Sequence, residues 1–173
     1  IVKYGKQKYI LTAAHVCRPQ EFAPEGTFGD GEIFTNKITA YNWKGEEIEV
    51  DFIKHDIELD ICLLSYDVKE VNLPALELAR KPPQIGEKVI NLGSPHGYWS
   101  PPAIPIFYGV YSGLDEDGLP IYSIHIGPGS SGGPILNEKK QLVAVVTAAF
   151  IFDMNIAIAT NVDNIKEFIA SSE

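Results

Sequence analysis

Nine short segments rich in Val, Ile, Tyr, Phe and Thr recur along the 173 residues, and no feature constrains the fold more than this punctuated pattern. KYILTAAHV, KITAYNW, EEIEVDFIKH, ICLLSY, KVINLG, IFYGVYSG, LPIYSIHI, LVAVVTAAF and NIAIATNV are broken by Gly, Pro, Asn or Asp, which is how an all-β chain is written. Glu47-Ile48-Glu49-Val50-Asp51-Phe52 alternates in polarity, as suits one buried and one wet face of an antiparallel sheet. ICLLSY and LVAVVTAAF are apolar nearly throughout and read as buried on both faces. The pattern fails over residues 73–87, LPALELARKPPQIGE, where Pro74, Pro82 and Pro83 leave no strand of usual length. That stretch is expected to connect an N-terminal barrel, residues 1–72, to a C-terminal barrel, residues 88–173. The closing segment VDNIKEFIA is the one convincing helix, over 162–171: Val162, Ile165, Phe168 and Ile169 share a face, and Asn161 or Asp163 can cap it.

Charge narrows the partners. With 14 basic against 23 acidic residues the formal net charge is -9, which argues against a nucleic-acid partner and for a soluble protein. No apolar run approaches the roughly 20 residues that span a bilayer, and the start, IVKYGKQKYILTAAH, reads as that of a processed or trimmed chain. The compartment is left open, with a soluble secreted, periplasmic or virus-associated location expected over a membrane one, and the natural substrate and the oligomeric state are left open as well. Cys17 and Cys62 form no C-x-x-C pair and have no His at shared ligand spacing, so no structural zinc site is expected, and the serine chemistry read below needs no metal or organic cofactor. A bridge between them is left open, and two buried thiols are the expectation. LDEDG, residues 114–118, lacks the ligand spacing of a calcium loop and reads as a hairpin tip.

The chemistry concentrates in GPGSSGGPILN, residues 127–137, where two serines sit among glycines. Hydrolysis by a serine needs a hydroxyl, an imidazole that takes its proton and a carboxylate that orients the imidazole. All four histidines, His15, His55, His96 and His125, precede Ser131, which excludes the α/β-hydrolase order although GSSGG matches that fold's nucleophile elbow. The first Asp is Asp30, so no Asp precedes His15 and the order acid, His, Ser fails as well. The order that survives is His, Asp, Ser.

In that order the chain resembles the chymotrypsin-like (trypsin-like) serine peptidases over nearly its whole length. LTAAHVC resembles the T-A-A-H motif, ELDICLL the D-I-A-L-L motif and GSSGGP the G-D-S-G-G-P motif. The resemblance implies His15 as general base, Asp60 as orienting acid and Ser131 as nucleophile, with the backbone N–H groups of Gly129 and Ser131 as oxyanion hole. Asp56 and Glu58 compete with Asp60, and the apolar ICLL that follows favours Asp60, because a buried carboxylate acts on the imidazole with little screening. Ser130 competes with Ser131, but only Ser131 is followed by the glycine pair. GEKVINLGSPHG and the ending IAIATNVDNIKEFI are similar to segments of the bacterial high-temperature-requirement (Deg-type) peptidases, whose appended peptide-binding domain is expected to be missing.

The same resemblance implies an all-β fold of two antiparallel six-stranded β-barrels with a C-terminal helix. It places His125 at the base of the primary specificity pocket, where it would favour an acidic or amide side chain, against the alternative of a strand residue facing elsewhere. Thr147 is expected beside the Asp60 carboxylate as a donor, Ala148 and Ala149 along one pocket wall and Ala157 on the opposite wall, leaving room for a small to medium apolar side chain. His55 is expected to be solvated and His96 to be a loop residue. Ile1-Val2 looks like an activating N-terminus, but Ile1 is only 14 residues before His15 and Ser130 stands where the receiving aspartate would be, so no such activation is expected. The expected activity is that of a serine endopeptidase acting on a protein or peptide substrate through an acyl-enzyme. The alternatives are a silent protease-fold scaffold and an acyl-ester hydrolase with the same triad.

Overall fold

The computed structural model describes residues 1–23, 38–69, 72–98, 100–150 and 153–171. The first half holds strands β1 (Val2–Tyr4), β2 (Gln7–Thr12), β3 (Thr39–Tyr41), β4 (Glu47–Glu49), β5 (Asp51–Asp56), β6 (Ile61–Ser65) and β7 (Leu76–Glu77), with a short helix α1 (Ala14–Cys17) after β2. The second half holds β8 (Lys88–Leu92), β9 (Ile106–Leu114), β10 (Pro120–Ser123), β11 (Pro134–Asn137), β12 (Leu142–Phe150) and β13 (Asp153–Asn161), closed by helix α2 (Val162–Ala170). The strand expected from Lys37 begins outside the described residues, and its described part is β3.

Strands β8–β13 close into a six-stranded barrel in the order β10-β13-β12-β11-β8-β9. Its interior is built from inward-facing residues such as Tyr122, Ile124, Ile135, Val143 and Val146, all at most 2% exposed. Among the described residues the N-terminal half does not form the second closed barrel expected from the sequence. Among the described residues it is an open sheet of five strands, β5-β6-β2-β1-β7, beside a separate β3–β4 hairpin. Among these residues β3 and β4 pair only with each other, and no described strand joins the edges β5 and β7. Nor is the sheet wholly antiparallel. Within the proline-rich connection, Leu76–Glu77 runs parallel to β1, and Leu78 bridges in parallel to Leu142 of the barrel.

A second core cements the halves. Val2, Leu11, Ile61 and Leu63 from the open sheet pack with Leu136, Leu142 and Val145 from the barrel and Ile165, Phe168 and Ile169 from α2. Burying one such side chain is worth about 1.5–3 kcal/mol, so this seam holds the two halves in fixed register. Helix α2 is capped by Asn161, whose Oδ1 accepts from Asp163 N (2.9 Å) and Asn164 N (3.0 Å). ICLL of β6 is buried throughout, as expected, whereas β12 is buried only to Val146; Ala148 and Phe150 are exposed. The LDEDG run does form a hairpin tip, with Asp115 Oδ1 accepting from Asp117 N and Leu119 N.

Candidate active site

His15 lies in α1, one turn that follows β2, and Asp60 lies at the end of the tight turn linking β5 to β6. That turn closes through Asp60 N donating to Ile57 O (3.3 Å) and Leu59 N donating to Asp56 Oδ1 (2.9 Å), which uses Asp56 as a turn brace. Asp60 takes a left-handed backbone (φ 47°), which a short polar side chain tolerates better than most and which recurs at functional sites. Its carboxylate engages His15 twice. Oδ2 stands 2.7 Å from the ring Nδ1, and Oδ1 accepts from the His15 backbone N–H at 2.9 Å. One carboxylate thus fixes both the main chain and the ring of the histidine, and places the Nδ1 proton between them, leaving Nε2 as the free ring nitrogen. The edge of Phe22 packs near the ring, 5.9 Å between centroids.

Two residues beyond each partner are cysteines, and they are bridged. Cys17 of α1 and Cys62 of β6 form a disulfide with Cα atoms 6.6 Å apart, correcting the expectation of two free thiols. The spacing was the available signal: 45 residues separate His15 from Asp60 and also Cys17 from Cys62. The pair and the bridge both tie α1 to the stretch formed by the end of the β5–β6 turn and the start of β6.

Ser131 follows a turn in which Ser130 N donates to Gly127 O (2.8 Å) and Gly127 N donates back to Ser130 Oγ (3.1 Å). Ser130 is 1% exposed, so its hydroxyl serves this turn, while Ser131 is half-buried and makes no side-chain hydrogen bond among the described residues. The glycine after it sets the turn against the end of β2. A Cβ on Gly132 would overlap Thr12 Oγ1 and lie 3.1 Å from Ala13 N, so the residue beside Ser131 rests on the backbone that leads into His15. Gly129 is equally constrained, with φ +95° and Ser94 O 2.6 Å from where a Cβ would be. Ser130 N, Gly132 N and Gly133 N all have backbone acceptors, but among the described residues Gly129 N and Ser131 N have none.

The turn is held from behind by the SPHG segment. His96, itself left-handed (φ 56°), donates its N–H to Pro128 O, and its Nε2 lies 3.0 Å from where a Cβ on Gly127 would be. His96 is a loop residue, as expected, but one that shapes the serine turn, a role its sequence context did not disclose. His55 reaches Glu21 Oε2 at 2.6 Å, away from Asp60.

The residues expected around a specificity pocket are placed unevenly. His125 is exposed, its Nδ1 3.1 Å from Asn155 Oδ1 and its ring 5.4 Å from that of Phe107. Thr147 and Ala148 share a cleft of about 250 Å³ with Asp60, but the Thr147 hydroxyl donates to Ile158 O (3.2 Å) and not to the carboxylate. Ala149 is half-buried and packs on the barrel core, opposite Ala157 in the ladder. Ala157 is 0% exposed inside that core, so here it lines no open wall; its β13 side chain points inward beside Tyr122. Ile1 belongs to the sheet, its carbonyl accepting from Leu76 N, and not to the serine turn.

A closed antiparallel barrel docked on a second β layer, with a His–Asp pair on one half and a glycine-flanked serine on the other, defines the chymotrypsin-like class. The chain belongs to the family of the trypsin-like peptidase domain, which matches residues 2–145. It is 26% identical over 156 residues to the chloroplastic protease Do-like 8 of Arabidopsis thaliana, covering 82% of this chain and 33% of that protein. It is 28% identical over 149 residues to a DegP-like periplasmic serine endoprotease of Hahella chejuensis, covering 82% and 27%. The crystal structure of the serine endoprotease from Yersinia pestis superposes with a TM-score of 0.74 at 22% identity, covering 95% of this chain and 53% of that one. The chain thus spans about a third or less of the length of these two curated relatives.

Proposed function

We propose that this chain is a serine endopeptidase domain in which Ser131 is the nucleophile, His15 the general base and Asp60 the orienting acid. The observation that carries this reading is the double engagement of His15 by Asp60, through Nδ1 and through the backbone N–H. With Nδ1 committed to Asp60, only Nε2 can take the Ser131 proton as Oγ attacks the scissile carbonyl; it then returns that proton to the leaving amine. A water activated the same way hydrolyses the acyl-enzyme. The oxyanion is stabilised by the N–H groups of Gly129 and Ser131, each worth about 3 kcal/mol to the transition state. The absence of a backbone acceptor for these two amides among the described residues supports that assignment.

Residues 1–72 supply the base and the acid, residues 88–173 the nucleophile, and 73–87 connect them. The substrate side chain before the scissile bond meets His125, Ala148 and Ala149, with Thr147 behind them. A protein or peptide is the substrate, and an oxidising compartment, such as the periplasm named for the Hahella relative, suits the Cys17–Cys62 bridge. The test is turnover of a peptide library and of simple esters by wild type and Ser131→Ala. Peptide cleavage lost in the variant is the expected result; ester turnover without peptide cleavage, or neither, would refute it.

A further inference from the structure

The acid surplus of the whole chain is reversed on one flank of the barrel. Arg80, Lys81, Lys88 and Lys139 line a cleft of about 700 Å³. Lys88 and Lys140 line a second cleft of about 720 Å³, which shares Lys88, Asn137 and Glu138 with the first. Together the two clefts carry five cations, and among the described residues Glu87 and Glu138 are their only carboxylates. Among the described residues none of the five cationic groups is hydrogen-bonded or ion-paired. Five unpaired positive groups in one place, on a chain with 14 basic and 23 acidic residues, form a local field opposite in sign to the molecule's own.

The backbone that presents these cations is held rigidly. At the β11–β12 hairpin, Asn137 Oδ1 accepts from Lys139 N (3.0 Å) and Gln141 N (2.9 Å), and Lys140 N donates to Asn137 O. The opposite lip is tied down by Lys166 Nζ donating to Arg80 O (2.8 Å) and by Tyr111 N donating to Glu87 O (3.0 Å). Such preorganisation lowers the entropy cost of binding. The second cleft adds an apolar shelf, Tyr108 (80% exposed) and Val110 on the outer face of β9 with Ile90 of β8 beside them.

We propose that this double cleft is a docking site for an acidic polypeptide segment that carries aromatic or aliphatic residues between its carboxylates. The carboxylates would meet Arg80, Lys81, Lys88, Lys139 and Lys140, and an apolar side chain would lie on Tyr108 and Val110. Charge complementarity selects the partner: Glu87, Glu138 and the net charge of -9 oppose a densely charged polyphosphate far more than a short acidic peptide. None of these residues belongs to the His15, Asp60 and Ser131 constellation, so the site is independent of the catalytic reading.

The probe is a short fluorescein-labelled peptide of alternating Glu and Phe, followed by fluorescence anisotropy. Saturable binding to wild type is expected, weakening with added salt and at least about tenfold weaker in Lys88→Glu/Lys139→Glu/Lys140→Glu. Tyr108→Ser, which leaves every charge in place, is expected to weaken binding of the Glu-Phe peptide but not of a Glu-Ser peptide. Circular dichroism checks that both variants fold; should the triple variant unfold, Lys139→Gln/Lys140→Gln replaces it. Equal binding by the charge variants, no saturable binding, or a heparin oligosaccharide binding more tightly than the peptide would overturn the proposal. So would a wild-type dimer that the charge substitutions dissociate, since the occupant would then be a second copy.

Discussion

Asp60 contributes both of its oxygens to a single residue. Replacing it by Asn keeps an oxygen for the His15 backbone N–H but removes the charge opposite Nδ1 and permits the wrong ring tautomer. The Asp60→Asn variant is therefore expected to lose roughly 10³–10⁴-fold in kcat on a peptide substrate while melting near wild type; a loss below about tenfold would mean that the carboxylate is structural. The partner of His15 is legible in the sequence. The choice of Asp60 over Asp56 and Glu58 followed from the apolar ICLL after it, and in the structure Asp56 braces the turn while Asp60 meets His15. The Thr147 hydroxyl was not readable, because a bulge between Val146 and Ala148 shifts the β12–β13 register and gives it Ile158 O as acceptor. A bulge leaves little trace in sequence.

Among the elements, α1 is tied twice to one stretch of chain, by the Asp60 carboxylate at the end of the β5–β6 turn and by the disulfide to Cys62 of β6. The bridge closes a loop of 45 residues, and removing it releases that constraint in the unfolded chain. Cys17→Ser/Cys62→Ser is expected to unfold at lower urea concentration, by about 2–4 kcal/mol in stability. Unchanged stability would show that the remaining contacts of α1 with β6 suffice. The strands were legible as elements because alternation and apolar runs are local properties; β6, β9 and β12 coincide with segments visible in the sequence. Closure of a barrel is not local. It depends on whether edge strands meet, and among the described residues β3–β4, a strand-like stretch by composition, pairs only with itself.

At the scale of the molecule, the seam of Leu11, Leu63, Val145 and Phe168 sets one half on the other, while the barrel has its own core around Tyr122. Tyr122 is 0% exposed, and its hydroxyl finds no partner among the described residues. Burial, then the neighbouring Tyr111, pushes its ionisation well above the ordinary tyrosine range. The unfolded chain releases that proton near pH ~10 and the folded one does not, so folding stability falls as pH rises above about 10. Tyr122→Phe is expected to make that alkaline loss shallower and to leave stability at neutral pH equal or about 1 kcal/mol higher; an unchanged alkaline slope in urea titrations would contradict it.

In the proposed mechanism one hydroxyl, that of Ser131, is made nucleophilic by a histidine more than a hundred residues earlier in the chain. Reaction of the wild-type protein with a fluorophosphonate, followed by mass-spectrometric mapping of the adduct, reports that activation at a single atom. A single adduct on Ser131 that disappears in His15→Ala is the predicted result; an adduct on Ser130, or labelling that survives the loss of His15, would contradict it.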